Sequence, residues 1–589
     1  MAVKGTRLGL GLAASICAIA LLPAGSAGAA QRAYISETAP PAATAAKIAG
    51  FGTTPAGALT PLSPATTSVG TGEGLGGIAI TPDAEHLYAI GRAGALYAFT
   101  IGATGGLTAV SGSPFAMPTD GLGIAVTPDG RHLYASSGDS VINGFSIAAS
   151  GALSPVTGSP FTIPDPAFGL AIAPDGRHIY YTSQADEDGV VAGMAIAASG
   201  ALTPVAGAGG SKTIGPDPFA VSITPDGKNL YAVERDSPGS NIWVFSLAAD
   251  GTMTQVGLPH LINASSPEPL GSTVTPDGKR LYTANPDDGD VTGFTIGAGG
   301  ALTDVGSPFA LSGAPSTRPY TVVPNSLGTR LYANENNTDD AYSLSIAAGG
   351  ALTPLAASPV AAVRSDHSGL ALTPAQPPVA KLTMTLGGST ANFNASTSTD
   401  ADSAISGFAW DFGDGQRVAG GSALQTHTYA APGTYTATVT LTDADGCSTK
   451  YVSSGQTPFC NGSGVADASV TVVVKPTADV TPPILQLSGD DSQKVGKTVS
   501  VGASCNESCS FDATGKLTVK VKGKKKTFTL GAATGSAGAG ATATLKLSLS
   551  AKAQKAAKKG KKPKAGISIE GADGAGNTDD ATKTVKLTD

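Results

Sequence analysis

One phrase recurs through the first part of this chain and limits what it can fold into. It reads Thr81-Pro-Asp83, Thr127-Pro-Asp-Gly130, Ala173-Pro-Asp-Gly176, Thr224-Pro-Asp-Gly227 and Thr275-Pro-Asp-Gly278, with weaker copies at Val323-Pro-Asn325 and Thr373-Pro374. The spacing is about 46 to 51 residues, the size of a four-stranded repeat unit rather than of a helical one. Each unit carries four runs that alternate apolar and polar residues, the pattern of half-buried strands. In the second unit these are Gly123–Thr127, Arg131–Tyr134, Ile142–Ile147 and Ala152-Leu153. Asp-Gly between the first two runs predicts a tight hairpin, because glycine accepts positive φ.

The ends of the repeat region complete each other. The last unit stops after its first strand, near Gly369–Pro374. The missing three stand at the other end, at Arg32–Tyr34, Ile48–Phe51 and Ala58–Thr60. Joining them in one sheet closes a ring and removes open edges. The chain is therefore expected to be all-β, with a seven-bladed β-propeller over 31–376. The Gly-x-Ala-x-Thr-Pro-Asp-Gly-Arg-x-Leu-Tyr units resemble those of the lactonase-type propellers, the group that includes bacterial 6-phosphogluconolactonase. That resemblance implies the fold; it carries no catalytic residue across, because many functions share one fold.

Two immunoglobulin-like β-sandwiches are expected after the ring. Residues 377–476 resemble a PKD domain through Phe393–Ser396, Trp410-Asp-Phe-Gly-Asp-Gly415, His427-Thr-Tyr429, Gly433-Thr-Tyr435 and Val439–Asp443. An insertion over 446–464 carries Cys447 and Cys460 and reads as a stapled loop. Residues 480–589 end like a bacterial immunoglobulin-like domain and carry Cys505 and Cys509. Two local cysteine pairs suggest two disulfides in an oxidising compartment.

The first thirty residues read as a secretory signal, with Lys4 and Arg7, an apolar run over Leu8–Leu22, Pro23 and the small residues Ala27–Ala29. Secretion is expected, with no transmembrane segment after cleavage. A net charge of -7 argues against nucleic acid as a partner. One stretch is basic all the same: between Asp512 and Glu570 there are fourteen lysines and no acid. It reads as a solvated face, or as a seat for an anionic cell-wall polymer, which would leave the protein wall-associated.

Enzyme motifs such as Gly-x-Ser-x-Gly and His-Glu-x-x-His are absent. His86, His132 and His178 recur at one repeat position and read as packing. The loops entering the blades carry Glu73, Asp120, Asp165, Asp217, Glu268 and Asp366, with Arg318 in the sixth. The loops between second and third strands, on the same face, add further acids, including Glu234. Turn chemistry accounts for many of these. A carboxylate-lined channel mouth would suit calcium or a cationic ligand. The expected function is an extracellular propeller that binds a small molecule, glycan or protein. The alternative is a lactonase-like hydrolase of a neutral sugar or small lactone. For that chemistry Glu234, Arg318, Asp366 and His367 supply the residue types for a base and an oxyanion donor.

Overall fold

The computed structural model describes residues 31–37, 45–71, 74–117, 121–185, 188–235, 239–262, 268–311, 317–362 and 369–589. The segment 1–30 expected as a signal lies outside them. Two compact units form: one holds the propeller and the first sandwich, the other the C-terminal sandwich.

Among the described residues the repeats build seven sheets, the blades of a β-propeller. The blade that closes the ring is Leu59–Thr71, Ala45–Thr53, Arg32–Ser36 and Leu370–Leu372 in that order. Its innermost strand comes from the far end of the propeller sequence, with Ile35 opposite Leu370. Each of the other six gains a short fifth strand beside its third, for example Phe161–Thr162 against Val141–Ile147. Two-residue strands are too short to show periodicity.

The repeated phrase is a turn that bonds to itself. Thr127 Oγ1 donates to Asp129 Oδ1 at 2.6 Å, and Asp129 Oδ1 also accepts from the Arg131 amide at 3.0 Å. Gly130 follows at φ +69°. The tyrosine of the second strand reaches onward. Tyr134 Oη donates to Gly200 O at 2.7 Å, Tyr231 to Gly300 O at 3.0 Å, and Tyr332 to Gly57 O at 3.0 Å, each crossing to the next blade. Tyr34 to Gly105 O, at 2.8 Å, completes the circle. All of these tyrosines are buried. The recurrent histidines press on the same glycines: a Cβ on Gly200 would lie 2.4 Å from the His132 ring. They are interblade packing.

The first sandwich packs the sheet of Thr383–Gly387, Thr390–Asn394 and Leu424–Thr428 over that of Arg417–Gly421, Ile405–Asp411, Gly433–Asp443 and Asp467–Val474. Trp410, 2% exposed, fills the interior beside Phe393 and Phe412. Asp414 accepts from the Gln416 amide at 3.0 Å, and its other oxygen lies 2.7 Å from His427 Nε2. The motif is thus a turn with a histidine stacked on Phe412.

The C-terminal unit is also a β-sandwich, with Phe511, Leu517, Leu547 and Ile567 in its core. It departs from the all-strand expectation at one helix, Ala551–Lys559, capped by Ser550. Alanine and lysine are strong helix formers, and Ala553 and Ala557 give the helix a buried face. Every lysine of the basic stretch is exposed. Cys505 is bonded to Cys509, and Cys447 to Cys460 in the first unit.

Candidate functional site

The innermost strands surround a cavity of about 150 Å³. Glycine there lets neighbouring strands approach: a Cβ on Gly169 would sit 2.7 Å from Phe219 O. The lining is small and apolar, with Phe168, Phe219 and Tyr320 as its aromatic members and Arg92 as its one charged side chain among the described residues. Arg92 Nε is buried without a hydrogen-bond partner.

The stapled insertion supplies part of that lining. Val452–Ser453 and Pro458–Cys460 pair as a two-stranded hairpin, and Gln456, Thr457 and Pro458 face the cavity. The loop adds backbone bonds to two innermost strands. Ile172 N–H donates to Gly455 O at 2.9 Å, and Ile223 N–H to Ser454 O at 3.0 Å. Both amides lie where the strand runs into its turn. The insertion therefore occupies the end of the channel away from the entering loops. Nothing in the sequence shows where a cysteine-closed loop will dock.

At the entering-loop end the structure draws together blades four to six. Arg235 pairs with Asp217 at 2.8 Å and lies over the Phe219 ring, 5.4 Å from its centre. Arg318 Nη2 lies 2.6 Å from Asp287 Oδ1. Glu268 adjoins Asp287. Burial first, then the Asp287 charge and hydrogen bond, push the Glu268 carboxyl up, while Arg235 and Arg318 pull it back. Glu234 is 4% exposed and accepts from Asn241 Nδ2 at 3.0 Å and from Trp243 Nε1 at 2.7 Å, so its carboxylate braces its own blade. Asp165 is half-buried, and its charge helps burial raise Tyr181. Glu73, Asp120, Asp366 and His367 lie outside the described residues. Among those described, no group of three acids on this face comes within common ligand range.

Two acidic groups away from the propeller mouth do. Asp400, Asp402 and Asp443 lie in the first sandwich, and Asp479, Glu507 and Asp573 in the C-terminal one. Burial is the largest cause that pushes Asp402 up to about 8 and Asp443 up to about 7. The sequence signal for the first group was an Asp-x-Asp turn before the Trp-Asp-Phe-Gly-Asp-Gly strand. The aromatics were legible as well, since Phe168, Phe219 and Tyr320 hold matching places in three innermost strands.

Comparison with known proteins agrees with this architecture. Residues 210–316 match the family described as lactonase, 7-bladed beta-propeller, and residues 375–457 match the PKD domain. The ring is a lactonase-type propeller, and a PKD domain follows it. No curated protein matches the chain. Among solved structures, the chain is similar to a proposed 6-phosphogluconolactonase of Bacteroides fragilis at 19% identity, covering 58% of this chain and 98% of that one, with a TM-score of 0.48. A periplasmic gluconolactonase of Pseudomonas aeruginosa is similar at 15% identity, covering 58% and 100%, with a TM-score of 0.48. Hydrazine synthase of Kuenenia stuttgartiensis is similar at 21% identity, covering 47% and 79%, with a TM-score of 0.38. Two disulfides and a PKD domain are compatible with an extracellular protein. Among the described residues no helix is long and apolar enough to cross a membrane.

Proposed function

We propose that this lactonase-type propeller is a secreted module that binds a small, neutral, polar ligand at the entering-loop end of its channel. The observation that carries the reading is the joining of Arg235, Glu268, Asp287 and Arg318 beside the aromatic cavity lining. Each arginine already faces a carboxylate, so the cluster has little charge left for an anion, yet it offers donors and acceptors in a partly dry place. Phe168, Phe219 and Tyr320 would cover the apolar face of a sugar or lactone ring. Asp165 and Asp217 belong to the same proposed face; the sequence assigns Glu73, Asp120, Asp366 and His367 to it as well, outside the described residues. The PKD domain and the C-terminal sandwich display it outside the cell, and the exposed lysines would rest on anionic wall polymer.

A second reading, hydrolysis of a neutral sugar or small lactone, is favoured by one feature. Glu268 holds its proton to higher pH than a free carboxyl, with arginines nearby to receive developing negative charge. Glu234 is a poorer base, since both its oxygens already accept hydrogen bonds. The test is calorimetric titration of the purified chain with neutral sugars and lactones, with turnover followed in parallel. Arg318→Ala is expected to weaken binding at least about tenfold, the loss of roughly 1.4 kcal/mol. Turnover that disappears in Glu268→Gln would establish the hydrolase. Affinity unchanged in Arg318→Ala would remove this cluster from the ligand site.

A further inference from the structure

The acidic group in the first sandwich has a chemistry that neither the sandwich core nor the propeller mouth uses. Asp400 and Asp402 sit in the turn before Ile405–Asp411, and Asp443 ends the strand that leads into the stapled loop. The three offer ligand oxygens within 4.8 Å of one another. Asp443 is 2% exposed; its Oδ1 accepts from the Cys447 amide at 2.7 Å, and its Oδ2 is buried with no partner. Asp402 repeats the arrangement. Its Oδ2 accepts from the Gln376 amide at 2.7 Å, and its Oδ1 is buried and unpartnered. Asp400 Oδ1 accepts from the Ser403 amide at 2.7 Å, and its Oδ2 is likewise buried and unpartnered. Each carboxylate thus gives one oxygen to a backbone amide, and the remaining oxygens have no donor: those of Asp400 and Asp402 meet each other, and that of Asp443 meets none.

Unpartnered buried carboxylate oxygens are costly unless a cation meets them. Among the described residues the charges acting on Asp402 and Asp443 are all carboxylates, from Asp400, Asp443 and Asp445. The donor set is oxygen only, which suits a hard cation rather than zinc. Calcium binds oxygen at about 2.3–2.6 Å, so oxygens around one ion lie within ~5 Å of each other, as these do. We propose that Asp400, Asp402 and Asp443 bind one calcium ion. Through Asp402 the ion fixes Gln376, where the propeller ends; through Asp443 it fixes Cys447, where the stapled loop begins. It therefore sets the root of the segment that occupies the channel. The other acidic group lacks this feature, because Asp573 already accepts from the Ala575 and Asn577 amides and from Asn577 Nδ2.

The test uses the full chain, stripped with a chelator and titrated with calcium chloride by calorimetry and by thermal melting. One ion per chain is expected to bind, raising Tm by about 2–5 °C at saturation. In the double variant Asp402→Asn, Asp443→Asn, affinity should fall at least about tenfold and the Tm shift should vanish. Should that variant not fold, Asp400→Asn, which keeps both amide bonds to Asp402 and Asp443, is read by the same criterion. Absence of heat and of any Tm shift in the unaltered chain at millimolar calcium would overturn the proposal. So would unchanged affinity in the variants, which would place the ion elsewhere.

Discussion

At the scale of single residues, the propeller is held by short bonds inside each turn and by tyrosine hydroxyls that cross from blade to blade. Thr127, Asp129 and Gly130 bond within one turn, so their spacing in sequence is their spacing in space. Tyr134 gave half its role away by recurring; its partner, Gly200 O, lies 66 residues on. The same limit hid the pairing of Arg318 with Asp287. Asp290 illustrates what burial adds. It is 8% exposed, and burial, the larger cause, then the Asp288 charge, push its carboxyl up to about 6 against the hydrogen bonds from Asn285 and Thr292. A carboxyl raised in the folded state binds its proton more tightly there than when unfolded. Its charge costs nothing below about pH 4, and the cost grows as pH rises to 6. Asp290→Asn is therefore expected to stabilise the protein by roughly 1–3 kcal/mol at pH 7. Thermal melts from pH 4 to pH 7 check this; the gain should shrink toward zero at the acid end.

At the scale of elements, strands announced themselves by alternation, and two classes of element escaped. Five of the six fifth strands, such as Phe161–Thr162, have only two residues and are too short to alternate. The stapled loop was visible through its cysteines, but its docking is written in backbone groups that every residue has. Gly455 is the residue that permits it: φ is +91°, and a Cβ there would lie 2.9 Å from the Ala171 Cβ. Gly455→Val is expected to push the loop off the innermost strands and to cost about 1–3 kcal/mol. Hydrogen exchange reads the same event, with the Ile172 and Ile223 amides losing protection. Unchanged protection there would mean that the loop contributes nothing to closing the channel.

At the scale of the molecule, the seven-bladed ring was legible because its incomplete last repeat and its first three strands fit one sheet. The candidate site was legible only as a face. Sequence placed Asp217, Glu268 and Arg318, and the neighbouring-loop residues Arg235 and Asp287, on one side of the ring; the fold decided which of them meet. The outcome is a channel with the chain's own PKD insertion at one end and an arginine–carboxylate cluster at the other. Under the proposed function this cluster receives an uncharged ligand. Titrating the full chain with matched pairs of sugar lactones, one neutral and one phosphorylated, tests it most directly. Measurable heat is expected with a neutral member, and at least about tenfold weaker binding of its phosphorylated twin. Tighter binding of the phosphorylated lactones would contradict it, because it would show that Arg235 and Arg318 are free to hold an anion.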